Sequence, residues 1–96
     1  MIKHIVCFML KDKSEESCRA AAEVLESMRG RVPQILEMHV GIDFLHSQRS
    51  CDVVLEVVVQ DHAALEAYQN DAYHCRTVKP YMHQVRTGSV SADYVF

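Results

Sequence analysis

Residues 51–60 read CDVVLEVVVQ, with five valines and a leucine interrupted only by Asp52 and Glu56 before the closing Gln60. β-branched residues at this density favour an extended chain, because their side chains pack well on a pleated surface. Both faces of the strand are largely apolar, and a strand covered on both sides belongs near the centre of a sheet. Residues 2–10, IKHIVCFML, have the same character. Ile2, His4, Val6, Phe8 and Leu10 share one face, and Lys3, Ile5, Cys7 and Met9 share the other. The two strands are therefore expected side by side.

The intervening and following segments supply the rest of a small α+β fold. Asp12 or Ser14 caps a helix over residues 15–29 whose first turn carries Glu15 and Glu16, acids that suit the positive end of the helix dipole. Cys18, Ala21, Ala22, Leu25 and Met28 form its apolar stripe, and Gly30 stops it. After Pro33, residues 35–43 alternate Met38, Val40 and Ile42 against Glu37, His39 and Asp43, the pattern of an edge strand with one wet side. Residues 44–50 are a loop. Asp61 caps a helix over 62–69 with Ala64, Leu65 and Tyr68 inward; a second helical piece starts at Asp71 or Ala72 and runs toward Lys79, ahead of Pro80. Gly88 marks a bend, and residues 89–96 alternate Val90, Ala92, Tyr94 and Phe96 against Ser91, Asp93 and Val95.

The order β-α-β-β-α-β is the ferredoxin-like arrangement, in which right-handed crossovers put both helices on one face of a four-stranded antiparallel sheet. Its other face is left bare. Ile5, Cys7, Met9, Val54 and Val58, or their alternating neighbours, would then form a larger apolar patch than a monomer usually carries, so a second copy packing sheet to sheet is expected.

Ninety-six residues make one domain, 1–96, with no composition shift to divide it. Ten Lys plus Arg against thirteen Asp plus Glu give a net charge of -3 without a basic stripe, which argues against nucleic acid. No apolar run approaches the roughly 20 residues that span a bilayer, and no signal-peptide layout opens the chain, so a cytoplasmic protein is expected. Cysteines 7, 18, 51 and 75 lack a C-x-x-C spacing and read as free thiols, with Cys75 a buried inert one; the six histidines show no helical zinc-ligand spacing. His39, His46 and His62 read as solvated, and Met9, Met28, Met38 and Met82 as filling core or interface.

Chemistry concentrates in residues 65–76, LEAYQNDAYHCR, which place Tyr68 six residues before His74 across a break between two helical pieces. An imidazole titrating near ~6.5 and a phenol near ~10 make a base and a hydrogen-bond donor if they share a pocket. The bland alternative packs the Tyr68 ring in the helix-sheet layer, its hydroxyl on a backbone carbonyl, with His74 at a helix start.

The segments IKHIVCFMLKD, VPQILEMHVGID, SCDVVLEV, LEAY, the histidine of AYH and the terminal DY, taken in order, resemble the stress-responsive dimeric α/β barrel (Dabb) family over essentially the whole chain. The resemblance implies a ferredoxin-like subunit that dimerises through its sheets. The family includes plant stress-responsive proteins and a polyketide cyclase that closes a ring by aldol condensation, using a histidine base supported by a tyrosine. By that resemblance the catalytic residues are His74 and Tyr68, with His4 a further pocket histidine. Val53 stands where the cyclase has a polar pocket residue, and Asp71 where it has a proline. Some plant members bind magnesium through backbone carbonyls, which would fall on Val32, Ile35 and Met38; no other cofactor is implied.

Two functions compete. One is a homodimeric binder or enzyme acting by acid/base chemistry on a partly apolar, carbonyl-bearing molecule; the other is a non-catalytic stress-response dimer with a filled core. Haem-degrading monooxygenases of similar size are disfavoured, since the chain has no tryptophan.

Overall fold

In the computed structural model, which describes residues 1–96, β1 (Ile2–Leu10) runs antiparallel to β3 (Val53–Val59), His4 opposite Val57 and Phe8 opposite Val53. β2 (Glu37–Ile42) flanks β3, and β4 (Arg86–Val95) flanks β1, so the sheet order is β2-β3-β1-β4 and all pairs are antiparallel. The two apolar strands are central and β2 lies at an edge, as their sequences predict. Opposite Gly88 the register of β1 on β4 shifts between Met9 and Leu10, the irregularity expected there.

The helices are α1 (Glu15–Glu26), α2 (His62–Gln69) and α3 (Lys79–Val85). They cover one sheet face. Leu10, Val53, Leu55, Val57 and Val59 meet Ala21, Leu25, Tyr68, Val78 and Met82 in a continuous buried core. No helix is long and apolar enough to cross a membrane.

Ser14 caps α1 by accepting the Ser17 N–H, and Asp61 caps α2 by accepting that of Ala64. α1 ends at Glu26, three residues before the predicted stop. The Ser27 hydroxyl bends back onto the Val24 carbonyl, and the N–H groups of Met28 and Arg29 donate to Leu25 and Glu26, tightening the spiral to i→i−3 bonds. Met28 nevertheless stays in the core, and Gly30, at φ +78°, makes the left-handed turn away.

At Pro80 the helix continues instead of stopping. Residues His74–Val78 form a π-helical turn, in which the Lys79 N–H donates to the His74 carbonyl, and Pro80 sits at the start of α3. A proline ring clashes with the carbonyl four residues back and has no N–H to give it. Winding one residue wider relieves both conflicts without ending the helix.

The uncovered sheet face carries Ile5, Cys7, Met9 and Val54, all half-buried, together with Val90 and Tyr94, which are 63% and 45% exposed. Val58, expected in this patch, is only 4% exposed within the subunit; its cross-strand neighbours Lys3 and Glu37 have long stems that can shield it.

Asp52 is a buried carboxylate at the start of β3. It accepts the Leu10 N–H at 2.8 Å and the Lys13 ammonium at 2.7 Å. Burial opposes its charge, but the two donors hold the carboxyl below the ordinary range. Asp52→Ala leaves the Leu10 N–H without an acceptor in the interior, and is expected to cost about 1–3 kcal/mol in urea unfolding. A loss within experimental error would show that water takes over the bond.

Candidate active site

Tyr68 sits in the last turn of α2, on the inner side expected for it, and its side chain is fully buried. The helix breaks at Asn70 and Asp71, and Ala72 and Tyr73 are helical again. Asp71 accepts the His74 N–H at 3.1 Å and starts the next helical segment, the role sequence reasoning gave to Asp71 or Ala72. The π-helical turn then sets His74 against Tyr68, ring centroids 4.5 Å apart. π-turns recur at functional positions because they re-aim a side chain inside an otherwise regular helix.

The His74 ring is fixed by its Nδ1, 3.0 Å from the Tyr68 carbonyl oxygen. A carbonyl only accepts, so Nδ1 carries the proton and the neutral ring keeps its lone pair on Nε2. Burial, reinforced by the Lys79 and His4 charges, lowers the His74 pKa from its ordinary value, while the Tyr68 carbonyl and Asp71 pull the other way. The net result is an imidazole that stays neutral at pH 7 with one basic nitrogen available.

His4 reaches the same place from the helix-facing side of β1. Its Nδ1 is hydrogen-bonded to the carboxylate of Asp93, the residue directly across on β4, and its ring meets Tyr68 edge-on at 5.5 Å. Tyr68 therefore lies between the two imidazoles. Burial, with the Asp93 charge adding to it, pushes the phenol well above its ordinary pKa, so Tyr68 is a donor and not a base. Its hydroxyl proton points to the Met28 sulfur at 3.9 Å, a weak acceptor, and not to a backbone carbonyl. A ligand oxygen would be a stronger partner.

All three residues line a cavity of about 440 Å³ between helices and sheet. That is a size suited to a small molecule. Phe8, Leu25, Leu55, Val78 and Met82 supply its apolar wall, while Lys79, Arg86, Ser89 and Ser91 add polar groups. Val53 is buried in the core and does not line it. Sequence reasoning missed Asp93 and the serines. Their signal is the alternation of β4, whose apolar members point away from the helices and leave Ser89, Ser91 and Asp93 on the His4 face.

Of the other titrating groups, His39, His46 and His62 are exposed as expected. Cys75 is exposed too, not buried, with its thiol on the Gln69 carbonyl, because the wide turn directs it outward from the core.

The carbonyl set of Val32, Ile35 and Met38 fits a hard cation poorly. Arg29 already donates to the Met38 oxygen at 2.9 Å, and the Ile35 N–H to that of Val32 at 3.2 Å. A guanidinium on a would-be ligand opposes a second positive charge. One amide oxygen of the same loop, Gln34 Oε1, is buried without a partner, but a single donor of that kind does not make up an oxygen cage.

Protonation of His74 couples to stability. Because its folded-state pKa lies below the unfolded value near ~6.5, the unfolded chain binds more protons between the two. The stability it contributes is complete above about pH 6.5 and is lost as pH falls below that. His74→Gln is expected to flatten this acid limb in urea unfolding from pH about 7 to 5; identical limbs in both proteins would exclude a buried neutral imidazole.

A ferredoxin-like sheet with an imidazole-lined cavity under its helices defines a class of small α+β subunits. The chain belongs to the stress-responsive A/B barrel domain family, Dabb, whose model matches residues 2–96. Among solved structures, a dimeric ferredoxin-like protein of unknown function from Thermobifida fusca is 17% identical, with a TM-score of 0.85 over 99% of this chain and 90% of its own. A Dabb family protein from Mesorhizobium loti is 18% identical, with a TM-score of 0.73 over 99% and 95%. The hydroxynitrile lyase of Passiflora edulis is 14% identical, with a TM-score of 0.81 over 99% and 92%. No protein of curated function matches by sequence.

Proposed function

We propose that the chain is a homodimeric small-molecule enzyme that removes a proton from carbon beside a carbonyl. His74 Nε2 is the base, Tyr68 donates to the oxygen on which charge develops, and His4, held by Asp93, orients the substrate. The observation that carries this is the Nδ1 bond of His74 to the Tyr68 carbonyl. It leaves a basic nitrogen on a neutral ring at the wall of an open 440 Å³ cavity. A filled core, which the structural-dimer alternative requires, is not what lies beside His74. Homodimerisation is supported by the dimeric state of the Thermobifida fusca neighbour, and the bare apolar sheet face is the surface this chain offers for it. That this fold can carry an enzyme is supported by the Passiflora edulis neighbour, named a hydroxynitrile lyase.

The test is native mass spectrometry of wild type and His74→Ala after incubation with a metabolite extract from the host. A dimer that retains a specific small molecule, lost or altered in the variant, is the expected outcome. Dimers that retain nothing in either form would favour the non-catalytic reading, and a monomer would remove the barrel.

A further inference from the structure

The charge of the cavity runs against that of the chain. Acids outnumber Lys plus Arg by thirteen to ten overall, yet none of the sixteen residues lining the cavity is Asp or Glu, whereas Lys79, Arg86 and three imidazoles are among them. The two acids closest to the catalytic rings are already engaged: Asp93 holds His4, and Asp71 accepts the His74 N–H. Lys79 and Arg86 are both half-buried, and neither has an acidic partner; the ion pairs of the chain use His4, Lys13, Arg19, Arg29, His39 and His46. Lys79 Nζ donates to the Gln69 carbonyl at 2.8 Å and Arg86 Nη1 to the Ser89 hydroxyl at 3.3 Å. Those single bonds leave most of the N–H donors of both cations unused.

We infer that the substrate is an anion, specifically a keto acid, whose carboxylate is held by Lys79 and Arg86 while its carbonyl and the adjacent C–H lie between Tyr68 and His74. The inference rests on the proton-abstraction reading and adds the substrate class. A guanidinium matches a carboxylate two bonds at a time, and an ammonium adds a point charge beside it. Partial burial strengthens both against solvent screening. The apolar wall of Phe8, Leu25, Leu55 and Val78 then takes the remainder of the molecule. In the step itself the proton passes from carbon to His74 Nε2. The C–H electron pair becomes the C=C bond of the enolate, the carbonyl π pair moves to oxygen beside Tyr68, and reprotonation reverses these moves.

The probe is 4-phenyl-2-oxobutanoate, compared with its neutral methyl ester, by calorimetric titration of the full chain and by proton-deuterium exchange at its C3 in D2O. The acid is expected to bind about tenfold or more tightly than the ester, a preference that weakens with added salt. In Lys79→Gln, Arg86→Gln and the double variant, all checked for an unchanged melting temperature, the preference is expected to shrink progressively toward none. Equal or tighter binding of the ester, or no binding of either compound, overturns the inference. The underlying reading has a separate readout. Exchange of the bound ester that disappears in His74→Gln leaves proton abstraction standing while the keto-acid assignment falls. An acid preference that depends on Lys79 and Arg86, without exchange that depends on His74, keeps the anion site and removes the base.

Discussion

His74→Gln is expected to slow proton abstraction from a bound ketone by about 10²–10⁴-fold, the usual contribution of a positioned general base. Glutamine is the informative replacement, because its amide N–H can still donate to the Tyr68 carbonyl while nothing takes the place of Nε2. Binding and folding are then expected to change little, so the loss falls on kcat and not on KM. Tyr68→Phe is the companion. It removes the donor that the proposed mechanism turns onto the developing oxyanion, and its expected loss is about 10²–10³-fold. The phenol donates only to a thioether, so the fold gives up little hydrogen-bond energy with it. Deuterium uptake at the carbon beside the ketone, followed by NMR, measures both. A His74→Gln protein that exchanges at the wild-type rate would remove the imidazole from the mechanism.

Val90→Asp is expected to turn the dimer into monomers. In the isolated subunit this valine is 63% exposed, on the sheet face away from the helices and across from Cys7. A carboxylate there costs the subunit no more than about 0.5 kcal/mol. Between two sheets the same charge would be buried without a partner, at about 3 kcal/mol or more, which weakens association by at least about a hundredfold. Sedimentation velocity across a concentration series separates the two states. A variant that stays dimeric would show that the subunits pair through another surface.

The sheet was legible because the two central strands are apolar on both faces, and few folds cover such strands in a chain this short. Residues 35–43 announced their edge position by alternating methionine, valine and isoleucine against charge. The helix ends were less accessible. Pro80 is an ordinary stop signal, and nothing local says that one wide turn will let the helix pass it. Residue type and spacing pointed to Tyr68 and His74 and the family resemblance to His4, and the structure brings their three rings together. What spacing could not carry was ring orientation, which depends on the Tyr68 carbonyl, or the partner of His4, which lies 89 residues away on β4. Lys79 and Arg86 look like solvated charges in sequence. Only the fold places both at one cavity, with neither paired to an acid.

The wide turn from His74 to Val78 has a consequence for how this site can change. A π-helical turn holds one residue more than the regular spiral needs, so it amounts to a single-residue insertion absorbed inside a helix. Losing Cys75, Arg76 or Thr77, none of which lines the cavity, would restore ordinary winding there and change the direction in which His74 points relative to α3. The imidazole would swing off the cavity wall, although every side chain that contacts a substrate would still be encoded. Helical phase is thus a heritable switch for this chemistry, and a one-codon deletion throws it without replacing a single residue of the site.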